Sequence, residues 1–173
     1  MNTPSLRNLE FDKVRSLLVQ QAGSAWGRGR LEALYPSTDL QEVRQRLAVT
    51  REAAVLLASL GRQPYHDLPD VADLLPQARM AGFHLEPLAL MDVASFIEGG
   101  TEIAFRAARV SGAPTLSNRA ARVRDTSELG QAIRRAVLPS GEVADDASPR
   151  LAELRRTLTR LRSQLTSVME GYL

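Results

Sequence analysis

Cysteine is absent from this chain of 173 residues. That excludes a disulfide framework, thiol catalysis and thiolate metal sites, and it makes a reducing compartment, the cytoplasm, the expected location. Lysine is nearly absent as well: of 22 basic residues, only Lys13 is not an arginine. A P-loop needs glycines for backbone approach and a Gly-Lys-Ser/Thr end for charge and magnesium, whereas Lys13 falls inside a predicted helix with no glycine before it. Aromatic residues make up 5% of the chain, so leucine, valine and alanine must supply most of any core, which favours helix packing. No apolar run approaches the roughly 18 residues of a membrane span, and the start, MNTPSLRNLEFDK, has no signal-peptide core, so no membrane association is expected.

What remains is 44% hydrophobic and 24% charged, with a net charge of +2, an ordinary soluble composition that singles out no partner. The bias toward arginine reads either as coding preference or as a supply of planar groups suited to phosphate. Leu9, Val14, Leu17 and Leu18 share a helical face over 8–21, and a short helix over 24–34 follows. Pro36 then breaks the pattern, and Ser37, Thr38 and Asp39 offer caps to a long helix that ends at Gly61. A fourth helix is predicted from Asp70 to Met80 and a fifth from Pro87. Gly99-Gly100 interrupts the fifth, either as a kink tolerated for close packing or as the meeting of two helices. SGAPTLSN, 111–118, is expected to be a loop, with two short helices on either side of Asp125-Thr126-Ser127.

The stretch VLPSGEVADDASPRL predicts two very short strands around Pro139-Ser140-Gly141 and then a helix start, with Ser148 as N-cap and Pro149 in the first turn. The last helix carries Leu151, Leu154, Leu158, Leu161, Leu165, Val168 and Tyr172 at spacings of 3, 4, 3, 4, 3 and 4, the seam of a coiled coil. A seam this narrow calls for one partner helix, and no other segment carries a heptad of equal length. Either the partner strand lies downstream in a longer protein or two copies pair. The fold class is therefore all-α: a helical bundle over 1–136, a very short β-hairpin over 137–147, and a heptad-patterned helix over 148–173.

No residue is assigned a catalytic, cofactor-binding or metal role. His66 and His84 lack a second ligand at metal spacing, and Asp145-Asp146 is explained by the helix N-terminus that follows. Trp26 and Tyr35 read as core or interface anchors in preference to base-stacking platforms, since each lies beside an apolar helix face. Arg155, Arg156, Arg160 and Arg162 are the one candidate contact surface: they are either solvated flanks of the seam or phosphate contacts that weaken steeply with salt.

The ordered strings LEFDKVRSLL, GRGRLEALYPSTDLQEVRQRLAVTREAAVLL, LPDVADLLPQAR and GEVADDASPRLAELRRTLTRLRSQL together resemble the N-terminal region of the MutS-two family, across essentially the whole chain. The resemblance implies a piece of a larger MutS-related protein with core and lever helices, coiled-coil clamp arms, a homodimeric ATPase domain that uses ATP and magnesium, and usually a nuclease domain. It also implies dealings with DNA, with suppression of recombination, or with collided ribosomes. On that reading the chain is a scaffold without catalysis of its own that ends inside the first arm helix. Its partners would be the rest of its polypeptide and a second copy. The alternative is a stand-alone coiled-coil adaptor that dimerises.

Overall fold

A computed structural model describes residue 6, residues 8–62 and residues 68–170. Among these the chain is all-α: α1 (Phe11–Gln20), α2 (Ala25–Glu32), α3 (Leu40–Leu60), α4 (Leu74–Ala78), α5 (Pro87–Ala107), α6 (Pro114–Ala120), α7 (Ser127–Ala136) and α8 (Pro149–Glu170). The starts follow local chemistry. Ser24 Oγ accepts from Gly27 N at 3.1 Å, and Asp39 Oδ1 accepts from Gln41 N at 2.8 Å and Glu42 N at 3.3 Å, the N-cap arrangement that satisfies free donors of a first turn. Pro87, Pro114 and Pro149 each open a helix, where a missing N–H costs nothing.

Several helix ends are closed by side chains from neighbouring elements. Arg106 Nη2 of α5 donates to Leu60 O at the end of α3, at 3.2 Å. Ser117 Oγ of α6 lies 3.0 Å from both Ala107 O and Val110 O at the end of α5. Glu52 Oε2 of α3 accepts from Leu116 N in the first turn of α6 at 2.9 Å. Partial desolvation pushes the Glu52 carboxyl up, but the donors of Leu116 and Thr115, with Arg119 nearby, together hold it below the usual range.

These contacts correct one expectation. Residues 111–118 are not wholly a loop, because α6 starts at Pro114. The proline is pre-set for a first turn, and Glu52 caps that turn through the Leu116 amide from 64 residues away in sequence, a partner that local reading cannot supply. The fourth helix is shorter than expected, five residues from Leu74 to Ala78. Asp70 instead makes a turn, its Oδ1 accepting from Ala72 N at 3.0 Å. At Gly99-Gly100, α5 runs through unbroken. A Cβ on Gly99 would lie 2.5 Å from Leu68 Cδ2, whereas one on Gly100 would meet open space. Close packing therefore accounts for the first glycine alone.

The densest helix pair is α5 with α7. Gly130 brings the two backbones together: a Cβ there would stand 3.3 Å from Ile97 Cγ2 and 3.8 Å from Ala94 O. Among the described residues the buried apolar ones are few, Val71, Ala94, Ala113, Ile133, Val137 and Ala144, and no large side chain is fully buried. A compact monomer of 19.0 kDa has about 8,400 Å² of accessible surface, whereas this chain has 13469 Å². Its helices are held by end-capping and one tight joint more than by a dry centre.

Candidate arm and its root

The two expected short strands reduce to one antiparallel bridge, Val137 with Val143. Leu138 N donates to Glu142 O at 2.8 Å, Ala144 N to Ala136 O at 2.9 Å, and Gly141 N closes the turn on Leu138 O at 2.9 Å. Gly141 sits at φ +84°, where a side chain would be strained, and an added Cβ would approach Leu88 Cδ2 to 3.0 Å. The turn thus rests on the first turn of α5. Val137 and Ala144 are buried beside it, so the hairpin is anchored on both sides.

From this anchor α8 departs. Ser148 Oγ accepts from Leu151 N at 3.2 Å, the expected N-cap, and Pro149 begins the helix. Arg155 reaches back from the second turn, its Nη1 donating to Val143 O at 3.0 Å and pairing with the Asp145 carboxylate. One guanidinium therefore ties the arm to the last residue of the bridge and to the loop before the cap. Asp146 is exposed and has no such partner among the described residues.

Past this root the helix is bare. Every residue from Leu158 to Glu170 is exposed. Leu154, Leu158, Leu161, Leu165 and Val168 of the seam are 47–64% exposed. Leu151 alone is half-buried against the root, and Tyr172 lies outside the described residues. Thr159, Ser163 and Thr166 donate their hydroxyls to carbonyls one turn back, so the polar flank satisfies itself. Of the four candidate arginines, Arg155 is engaged at the root. Arg156, Arg160 and Arg162 are exposed, and their side chains make no ion pair or hydrogen bond among the described residues.

The joint beneath the root was not legible in the sequence. Arg134 of α7 donates from Nε to Glu98 Oε1 at 3.0 Å, and from Nη2 to Glu98 Oε2 at 2.8 Å and Ser95 Oγ at 2.9 Å, all on α5. The Arg134 hydrogen bonds hold the Glu98 carboxyl below its usual range, and the same pairing raises Arg134. Mechanically, α5 grips α7, α7 continues into the hairpin, and the hairpin holds α8.

Trp26 packs edge-on against Phe96, with ring centroids 5.0 Å apart and planes at 84°. Tyr35 lies 6.4 Å from Phe11, and the Arg15 guanidinium stands 5.4 Å from the centre of its ring. His84 is exposed, and His66 lies outside the described residues. No group of three or more His, Cys, Asp or Glu side chains that could hold a metal occurs among the described residues. Lys13 sits in α1 with its Nζ 2.6 Å from Glu10 Oε1.

Fold and site together define a helical platform with a rooted, uncovered arm. No helix among the described residues is long and apolar enough to cross a membrane, and no family model matches the chain. Curated relatives do. The chain is 31% identical to an Endonuclease MutS2 of Exiguobacterium sibiricum across 100% of its own length and 23% of that protein. It is 33% identical to that of Symbiobacterium thermophilum over 99% and 22%, and 34% identical to that of Geobacillus thermodenitrificans over 99% and 23%. The chain thus matches, along its whole length, the N-terminal region of the MutS2 family, and it spans less than a quarter of the relatives it matches.

Proposed function

We propose that this chain is a non-catalytic scaffold of a MutS-related protein that handles nucleic acid. In this reading residues 1–136 form the body, 137–147 the joint and 148–173 the beginning of a clamp arm. The observation that carries it is the pairing of opposites in α8, where a firmly anchored root supports a seam of five exposed apolar residues. Four leucines left in water forgo roughly 1.5 to 3 kcal/mol each, a strong incentive for a covering helix. The name Endonuclease carried by the relatives supports a nucleic-acid role for the larger protein. ATP and magnesium would be held outside this chain, as would nuclease chemistry. The remainder of the polypeptide, a second copy, and DNA or a ribosome are the partners that go with the reading, and the cytoplasm is its place.

Two measurements test it. The genomic reading frame beyond Leu173 should continue into a second heptad helix and then a P-loop, while a stop codon at that point would favour the dimerising adaptor instead. The purified chain should turn over neither ATP nor nucleic acid above a mock preparation. Turnover that copurifies with it, and that vanishes on substitution of one of its residues, would overturn the proposal.

A further inference from the structure

Away from the arm, the last turns of α2 and α6 and the flank of α3 line an open groove of about 590 Å³. Arg30 comes from the last turn of α2, Arg46 from α3 and Arg119 from the last turn of α6, and all three are exposed. Tyr35, Gln45 and Thr50 complete the polar part of the lining, which contains no carboxylate. Two acids of α3 are engaged with residues at the groove or its edge. Glu42 takes the Ser37 hydroxyl and Arg46 Nη2, and Glu52 takes the Leu116 amide while facing Arg119. A guanidinium has five N–H donors, so Arg46 keeps donors to spare after Glu42 and after its 3.4 Å contact with Tyr35 O. Arg30 has no ion-pair partner among the described residues.

Tyr35 makes this more than a basic patch. Its ring is steadied by Arg15 and Phe11 and is nevertheless 61% exposed. An ordered aromatic left open beside three guanidinium groups is the combination that binds unpaired bases by stacking and their phosphates by forked hydrogen bonds. A duplex keeps its base faces stacked inside and would make no use of the ring, and an acidic peptide would use the arginines alone. We propose that the groove lined by Arg30, Arg46, Arg119 and Tyr35 is a binding site for single-stranded nucleic acid, separate from the arm. The proposal goes beyond the scaffold reading and does not need it, because every residue involved lies in the body.

The test is fluorescence anisotropy of the full 173-residue chain with a labelled oligothymidylate, titrated at several salt concentrations. An Arg30→Gln, Arg119→Gln double variant should bind about tenfold or more weakly, and its plot of log affinity against log salt should be shallower by roughly 1.4, the value for two phosphate contacts on a single strand. Tyr35→Leu should weaken binding by about fivefold or more and leave the salt slope unchanged. An Arg156→Gln, Arg160→Gln, Arg162→Gln variant on the arm serves as the comparison, with far-UV circular dichroism to show that each variant is folded. Parental binding by the groove variants overturns the proposal. So does loss of binding confined to the arm variant, or polyglutamate competing as well as the oligonucleotide at equal charge. None of these outcomes bears on whether the chain is part of a larger protein, which the reading frame decides.

Discussion

Arg134 meets both carboxylate oxygens of Glu98, at 3.0 and 2.8 Å, across 36 residues of sequence. This forked ion pair joins α7 to α5 at the point where Gly130 lets the helices touch. Both side chains are partly in water, so the pair is expected to contribute about 1 kcal/mol or less. Arg134→Met should lower the melting temperature at neutral pH by a few degrees at most. The Glu98 carboxyl is held below its usual range, so its contribution is complete above the unfolded value near 4.3 and is lost as pH falls through the lowered folded value. The parent and the variant should therefore converge in melting temperature once the pH lies well below that lowered folded value. A gap that persists undiminished there would mean that Arg134 acts by packing alone.

The glycines of the joint should separate by what stands over them. Gly100→Ala meets nothing and removes a flexible residue from a helix, so it should stabilise by up to about 1 kcal/mol. Gly130→Val must push Ile97 and the α5 backbone aside, and should cost about 1 to 3 kcal/mol. Chemical denaturation of the two variants against the parent gives both values. Equal effects of one sign would remove Gly130 as the reason for the close approach.

The seam predicts self-association. With Leu154, Leu158, Leu161 and Leu165 uncovered, the chain should form dimers or larger species at tens of micromolar, on the order of the concentrations used in sizing experiments. Leu158→Glu with Leu161→Glu should return it to a monomer in light scattering behind a sizing column. A parent that runs as a monomer, indistinguishable from the variant, would show the seam to be covered within the chain.

Arg155 should matter to the root and not to ligands. In Arg155→Gln the contacts to Val143 O and Asp145 go, and amide exchange at Leu138 and Ala144 should quicken while exchange in α3 and α6 stays as it was. Uniform exchange across parent and variant would mean that the hairpin is held by Leu88 and the buried valine without help.

Much of this was legible because helix starts are written locally. Asp39, Ser148, Pro87 and Pro149 act within four residues of their own position, and the heptad of α8 needs no knowledge of the rest of the chain. What failed to show was everything that depends on distant partners. Glu52 capping α6 turned an expected loop into a helix, and Arg155 was read as a free cation until Asp145 and the Val143 carbonyl came beside it. The groove escaped for the same reason: Arg30, Arg46 and Arg119 lie on three separate helices, and Tyr35 was read as an anchor in preference to a base-stacking platform.

The large accessible surface has a thermodynamic consequence. Unfolding exposes less new surface than it would in a compact monomer of the same mass, and both the heat-capacity increment and the denaturant slope scale with newly exposed surface. Both quantities should fall below the norm for 173 residues, giving a flat stability curve and a broad transition. A helix pair held by its own clamp, such as α5 with α7, can then outlast the opening of its neighbours, and the chain would come apart in stages.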